Sequence, residues 1–378
     1  MAMNSEPRLF PSVNRLVVKV GSGVLTQDRG LNLDIIASLA RQISAQMDRK
    51  RDVILVSSGA VASGVKKMGL PGRPEKMPEK QAAAAIGQAG LMMEYEKVFS
   101  RYGKNVAQIL LTDDDLSNRK RFLNARNTMN TLLAWGVLPI INENDTVAVE
   151  EIKFGDNDSL SARVALLLSA DLLINLTDID GLYDKDPRRH TDARRIGVLS
   201  RIGKHIDAMA SGIPGAVGTG GMLTKIRAAR KVTAAGIPMI IASGKDDAIL
   251  DDLFAGKDKG TFFAPRKQKL TSRKSWIAFN ARPAGILFID DGAKEAMKTG
   301  GRSLLPSGIA RVQGDFSVGA PVELRGLCGT VLGIGLVNYS SQDIDRIKGL
   351  KTRQIEERLG HKEYDEVIHR DNFALTCD

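Results

Sequence analysis

The sequence predicts an α/β protein: a three-layer, doubly wound, mostly parallel sheet followed by a small, mostly-β, barrel-like module. Three observations predict it. Short aliphatic and β-branched runs alternate with helix-length amphipathic segments through the first two-thirds of the 378 residues. Most of those runs are apolar throughout rather than alternating, the pattern of parallel strands buried on both faces. Beyond a basic connector, the pattern changes to short strands divided by glycine turns.

Taken in order, Leu16–Val20, Val53–Val56, Val106–Leu111, Val137–Ile141, Leu172–Leu176 and Met239–Ala242 read as strands. Asp34–Met47, Glu79–Arg101, Arg119–Trp135, Ser159–Ser169 and Met222–Ala235 read as the helices between them. Such alternation builds right-handed βαβ crossovers, which pair strands in parallel and clothe both faces of the sheet. Residues 1–261 are therefore assigned to a first domain and 262–282 to a basic linker. Residues 283–361 form a second domain and 362–378 a C-terminal tail. In the second domain Gly285–Ile289, Val322–Leu324 and Thr330–Val337 read as strands, with Asp291–Lys298 as its one early helix.

Apolar residues at 43% and charged residues at 26% exclude collagen-like, low-complexity and wholly disordered chains. Two cysteines, Cys328 and Cys377, with no C-x-x-C pair, exclude a disulfide scaffold and a zinc ribbon and suit a reducing cytosol. The most apolar stretch, Val164 to Leu176, is broken by Asp171 and falls short of the ~20 residues a membrane span needs. Met1 to Arg15 is polar and proline-broken, unlike a signal peptide. The expectation is a cytoplasmic protein with no membrane partner. A net charge of +10 invites a nucleic-acid reading. The excess is spread out, however, apart from the connector residues Arg266, Lys267, Lys269, Arg273 and Lys274, and residues 275–378 carry one more acidic than basic residue. Charge alone does not support a nucleic-acid face.

Five constellations carry possible chemistry. Val17-Val18-Lys19-Val20-Gly21-Ser22-Gly23 runs an apolar strand through a lysine into a glycine turn, where α/β sheets bind ligands and bare backbone N–H groups meet phosphate. It is neither a Walker A loop nor a dinucleotide fingerprint, because Thr26 stands where the third glycine would be. A lysine beside a purely structural turn reads the same way. Val56-Ser57-Ser58-Gly59-Ala60 leads a strand into a helix start, either an anion site or a plain N-cap. Ile141-Asn142-Glu143-Asn144-Asp145 and Gly155-Asp156-Asn157-Asp158 crowd seven polar, mostly acidic residues into two loops, more than turn chemistry alone explains. Thr177-Asp178, before Asp180-Gly181-Leu182-Tyr183, crowns another strand. Gly215 to Lys225 is a glycine-rich loop leading into a helix whose first turn carries Thr224 and Lys225, a second phosphate cradle. Together they suit phosphoryl transfer, which needs positive charge around the moving group rather than covalent chemistry. Asp158 can hold both lysines in place, and the remaining acidic and amide groups can grip a small cationic acceptor. No histidine is placed for a phosphohistidine relay, and no G-x-S-x-G elbow occurs.

At this point the sequence resembles the amino acid kinase family. Val18-Lys19-Val20-Gly21-Ser22, Ser58-Gly59-Ala60, Arg121 to Arg126, Ile141 to Asp145, Gly155 to Asp158 and Gly218 to Lys225 carry the resemblance. They are collinear within residues 16–245, and the second domain resembles a PUA domain. By that resemblance Lys19 binds ATP phosphates, Lys225 stabilises the transferring phosphoryl group, and Asp158 orients the two lysines. Thr177, Asp178 and the run Thr219, Gly220, Gly221, Met222, Leu223, Thr224 and Lys225 hold the nucleotide. Ser58, Asp145 and Asn157 bind L-glutamate, with Gly21 and Gly59 as further phosphate contacts. The implied reaction moves the ATP γ-phosphoryl group to the glutamate side-chain carboxylate, giving L-glutamyl 5-phosphate, the first step of proline biosynthesis. Mg²⁺ screens the phosphates, with no protein ligands assigned to it. The resemblance also implies inhibition by proline, a homodimer or homotetramer, and hand-over of the product to glutamyl 5-phosphate reductase. Two alternatives stay open: a family member acting on acetylglutamate, aspartate, carbamate or a nucleoside monophosphate, and an RNA-binding protein acting through its PUA-like part.

Overall fold

The computed structural model describes residues 10, 12–27, 30–148, 157–203, 206, 207, 209, 221–266, 270–299 and 301–376. The chain divides into two units, residues 1–116 with 120–269 and residues 117–119 with 270–378.

The first unit is built on an eight-stranded sheet. Its strands are β1 (Arg15–Val20), β4 (Asp52–Val56), β5 (Val106–Leu111), β6 (Leu138–Glu143), β7 (Leu172–Thr177), β8 (Val198–Leu199), β9 (Met239–Ser243) and β10 (Thr261–Phe263). The strands β2 (Thr26–Gln27) and β3 (Gly30–Leu31) form a separate antiparallel pair. The sheet order is β5-β6-β4-β1-β7-β9-β10-β8, and every pairing is parallel except that of β9 with β10. After β1 the chain adds β4 beside it, then the edge strand β5, then β6 between β5 and β4, and crosses to β7 on the other side of β1. The order thus reverses at the β1/β7 pair, the place where a crevice opens beyond the strand ends of such sheets.

Alternation along the strands decides which side chains enter that crevice. Leu16, Val18 and Val20 of β1 and Leu172, Ile174 and Leu176 of β7 share one core with Ile36, Leu39 and Ile43 of α2 (Leu33–Asp48) and Leu91, Tyr95 and Phe99 of α4 (Met77–Ser100). Lys19 and Asn175 therefore face the opposite layer, against α7 (Asn157–Leu167). They are register partners. α7 in turn packs on α8 (Met222–Ala234), the helix that carries Lys225.

On the α4 side, α3 (Ala60–Lys67) lies almost backbone to backbone with α4. A Cβ on Gly64 would stand 1.8 Å from the Ala83 carbonyl oxygen, and one on Gly87 1.8 Å from that of Ala60. The remaining helices here are the short α1 (Ser22–Leu25), α5 (Asp113–Ser117) and α9 (Ile249–Phe254) and the 16-residue α6 (Arg119–Ala134), with residues 117–119 at the α5–α6 junction counted in the second unit.

The second unit has its own sheet of β11 (Gly285–Ile289), β12 (Ile309–Gln313), β13 (Pro321–Gly326), β14 (Val331–Leu336) and β15 (Phe373–Leu375), in the order β12-β11-β13-β14-β15. Leu287, Ile289, Val322, Leu324, Leu332 and Phe373 fill its core. The strand Ile309–Gln313 went unread in the sequence because only two of its five residues face inward at all. Two helices flank the first strand where one was expected. Besides α11 (Asp291–Lys298), α10 (Ser272–Phe279) forms within the basic stretch read as connector. Thr271 caps it by accepting from the Lys274 N–H at 3.3 Å, and Trp276 and Ile277 are buried. Phe373–Leu375, inside the stretch read as a tail, pairs antiparallel with β14. α12 (Ser341–Ile347) and α13 (Ile355–Leu359) complete the unit.

Candidate active site

The crevice at the β1/β7 reversal holds one carboxylate between two ammonium groups. Asp158, in the first turn of α7, is 0% exposed, Lys19 is 4% and Lys225 is 6%. Lys19 Nζ lies 2.5 Å from Asp158 Oδ1, and Lys225 Nζ lies 3.0 Å from Oδ2. Asn175 Nδ2 donates to Oδ1 at 2.8 Å, and the Thr224 hydroxyl stands 2.8 Å from Oδ2. Oδ1 thus meets two donors, while on Oδ2 the single Thr224 hydroxyl proton is shared with the Gly221 carbonyl oxygen, 2.7 Å away. Burial by itself would raise the Asp158 pKa, but the charges of Lys19 and Lys225, with hydrogen bonds from Lys19 and Asn175, outweigh it and hold the carboxyl well below its ordinary range. Among the described residues, two buried ammonium groups face this one carboxylate, an arrangement that an anion would complement.

Backbone donors surround this centre. Gly221 caps α8 in an extended conformation and has no side chain to accept from the first-turn N–H groups of Met222, Leu223 and Thr224, and helix ends of this kind favour anions. Gly21 stands two residues after Lys19; a Cβ there would lie 3.6 Å from Lys19 Nζ, and its N–H donates to the Leu176 carbonyl at 3.0 Å. Thr177 ends β7 and Asp178 follows it, their side chains 3.0 Å apart, and Asp178 lies beside Gly23.

A second polar group lies at the ends of β4 and β6. Asn157 Nδ2 contacts the Ser57 carbonyl oxygen at 2.5 Å, Ser58 Oγ at 2.9 Å and Asn142 Oδ1 at 3.0 Å. The Ser57 carbonyl can only accept, so it turns the amide N–H₂ of Asn157 inward. Asn142 Nδ2 donates to Gln88 Oε1 at 2.9 Å, and Ser57 Oγ pairs with the Tyr95 hydroxyl at 2.8 Å. Burial pushes the Tyr95 pKa above its usual range, only partly opposed by the Ser57 hydrogen bond, so the hydroxyl stays protonated. Gly59 caps α3 at φ +93°, a left-handed conformation that glycine adopts without strain. The close α3–α4 approach therefore sets Gln88 and Tyr95 beneath the Ser57-Ser58-Gly59 turn.

Of the residues singled out in the sequence, Lys19, Asp158 and Lys225 form one ion cluster, and Ser58 and Asn157 are hydrogen-bonded to each other. Because Asn157 and Asp158 are consecutive, α7 serves both groups. Asp145 lies half-buried in the turn after β6. Thr219 and Gly220, like Gly155 and Asp156, lie outside the described residues. Sequence reasoning missed Asn175, Gln88 and Tyr95. A lone amide within the otherwise apolar run Leu172 to Leu176 was the available signal for Asn175; Gln88 and Tyr95 look like ordinary helix residues.

Among the described residues no group of three His, Cys, Asp or Glu side chains is placed to hold a metal ion, and no helix is long and apolar enough to cross a membrane.

Comparison with known proteins agrees with this architecture. Residues 14–243 match the amino acid kinase family, and residues 285–359 match the PUA domain. A glutamate 5-kinase of Syntrophus aciditrophicus is 52% identical over 368 residues, covering 97% of this chain and 96% of its own. A glutamate 5-kinase of Geobacter sulfurreducens is 51% identical over 368 residues, covering 97% and 99%. Among solved structures, carbamate kinase from Giardia lamblia bound to AMP-PNP superposes with a TM-score of 0.50 at 18% identity, covering 67% of this chain and 99% of its own, a likeness of fold. Matched by the family over more than half its length and by these relatives along nearly all of it, the chain belongs to the amino acid kinase family, in its glutamate 5-kinase branch with a C-terminal PUA domain.

Proposed function

We infer that this protein transfers the γ-phosphoryl group of ATP to the side-chain carboxylate of L-glutamate, forming L-glutamyl 5-phosphate and ADP, the first step of proline biosynthesis. The observation that carries the substrate assignment is identity of about half along nearly the whole chain to enzymes named glutamate 5-kinase. The buried lysine pair supports the reaction type.

The chemistry follows from the charges. A glutamate side-chain oxygen attacks the γ-phosphorus, and the bond from that phosphorus to the β–γ bridging oxygen breaks. The acceptor is already an anion near neutral pH, since a glutamate carboxyl titrates near pH 4.3, so no general base is required. Asp158, held ionised by Lys19, Lys225 and the Asn175 amide, is a poor base and a good anchor. Its role on this reading is to hold Lys19 and Lys225 where they offset the charge that spreads over the transferring group. Gly21, whose N–H is taken by the Leu176 carbonyl, serves by leaving the space beside Lys19 Nζ clear for a phosphate, while the N-cap Gly221, the α8 first turn (Met222, Leu223, Thr224) and Gly59 offer N–H donors to phosphate oxygens, with Thr219, Gly220, Thr177 and Asp178 on the nucleotide side. Ser58, Asp145 and Asn157 receive glutamate. The inward-turned Asn157 amide leaves its carbonyl end for the substrate ammonium. Mg²⁺, when bound with ATP, would screen the phosphate charge.

On the same reading the enzyme works in the cytoplasm as a homodimer or homotetramer, is inhibited by proline, and passes its product to glutamyl 5-phosphate reductase. The deciding assay supplies ATP, Mg²⁺ and L-glutamate with hydroxylamine, which traps an acyl phosphate as the hydroxamate. Glutamate-dependent hydroxamate is the expected result; equal turnover with aspartate or acetylglutamate would overturn the substrate assignment.

A further inference from the structure

Across from Lys19, in the middle of an apolar strand, stands one amide with an unpaired end. Asn175 lies between Ile174 and Leu176, and all three are 0% exposed. Its Nδ2 donates to Asp158 Oδ1 at 2.8 Å, the oxygen that Lys19 also holds. Its Oδ1 is buried and has no hydrogen-bond partner among the described residues. The orientation is imposed by chemistry, because a flipped amide would set carbonyl oxygen against carboxylate. A buried acceptor without a partner destabilises a fold, and native interiors hold few of them. Leucine has the same number and branching of side-chain heavy atoms and would remove that penalty, while continuing the apolar run of the strand. Packing therefore gives no reason for an amide at this position, and the contact with Asp158 does.

We propose that Asn175 is a positioning residue for phosphoryl transfer, acting through its Nδ2 hydrogen bond to fix the rotation of the Asp158 carboxylate and, through it, the separation of the Lys19 and Lys225 ammonium groups. The inference rests on the kinase reading of this site. With Asn175 present, Oδ1 takes two donors, Lys19 and Asn175, and Oδ2 takes Lys225 and shares the Thr224 hydroxyl with the Gly221 carbonyl. Without it, Oδ1 keeps Lys19 alone. The carboxylate is then free to turn, and Lys19 is drawn toward an acceptor it no longer shares. The lysine pair would still bind ATP but would meet the transferring group off its best geometry. Asn175 touches neither substrate in this scheme, so its effect falls on kcat.

The test compares the full-length protein with its Asn175→Leu, Asn175→Asp and Asp158→Asn variants in the hydroxamate assay, with thermal melting of each. Asn175→Leu is expected to lower kcat about 10-fold, typical for hydrogen-bond partners that orient a functional group, with both KM values within about 3-fold. Its Tm is expected to match or exceed that of the parent, which a merely structural role would not give. Asn175→Asp replaces the N–H₂ with an oxygen that donates only when protonated. Its kcat, relative to the parent, is expected to recover as pH falls from 8 to 6, whereas Asn175→Leu stays low throughout. A folded Asn175→Leu protein with kcat within 2-fold of the parent overturns the proposal. If that variant melts early, an Asn175→Asp protein with parental kcat and a parental pH profile overturns it instead. Asp158→Asn separates the two levels. Its full activity would remove the site reading and this inference with it, whereas an inactive Asp158→Asn beside a fully active Asn175→Leu removes the inference alone.

Discussion

Lys225 enters the site from the first turn of α8, nearly buried, and faces one oxygen of a carboxylate whose other oxygen faces Lys19. A lysine that only gripped ATP could sit at the surface, as a point charge well served by water. Burying it costs solvation, which Asp158 offsets and a bound phosphate would offset further. That investment suits a charge aimed at the transition state. Lys225→Ala is accordingly expected to lower kcat by ~10²–10³-fold while changing KM for ATP by less than about 3-fold. Steady-state kinetics with ATP and glutamate varied separately checks the split; a change confined to KM would make Lys225 a ground-state binding residue.

At the scale of elements, the site depends on two helices meeting at backbone distance. α3 and α4 approach so closely that Gly64 and Gly87 have no room for a methyl group, each ideal Cβ falling on a facing carbonyl oxygen. Backbone cannot swing aside as a flexible side chain does. Gly87→Ala must therefore push the helices apart, at a cost of about 1–3 kcal/mol by the measure of overpacked cores. α4 also carries Gln88 and Tyr95, which hold Asn142 and Ser57. The same substitution should thus raise KM for glutamate as well as lower Tm. Melting curves and glutamate saturation curves read both effects; parental values in each would mean that the α3–α4 contact tolerates separation.

At the scale of the whole molecule, the described site residues and their supports fall between Lys19 and Lys225, and the first sheet ends at Phe263 with β10. β10 pairs with β9, and the Arg266 N–H still bonds back to the Thr233 carbonyl. The second unit has its own sheet and core. A chain ending at Lys269 is therefore expected to fold and keep glutamate-dependent kinase activity, with kcat/KM within about 3-fold of the parent. Size-exclusion chromatography and the hydroxamate assay check it. Soluble, folded protein with under about a tenth of the parental kcat/KM would show that the second unit completes the active site.

Much of this was legible in the chain itself. Runs such as Leu16 to Val20 and Leu172 to Leu176 are apolar on both faces, and only a strand inside a covered parallel sheet has two faces to bury. The turn after Lys19, the polar loops around Asp145 and Asp158, and the glycine-rich approach to Lys225 were visible because loops at strand ends need residues of unusual conformation or charge. Local pattern also has limits. The basic residues around Arg273 concealed α10, whose Trp276 and Ile277 find their burial in the second unit, and β15 looked like a tail because three residues carry no period. Only the tertiary structure could bring Lys19, Asp158 and Lys225 within hydrogen-bonding distance, since positions so far apart in the chain meet only through the crossover at β1 and β7. It alone decided that Asn175 faces Asp158 rather than the α2–α4 core, because the side of a strand that reaches a site is set by the register and layers around it, not by the strand's own residues.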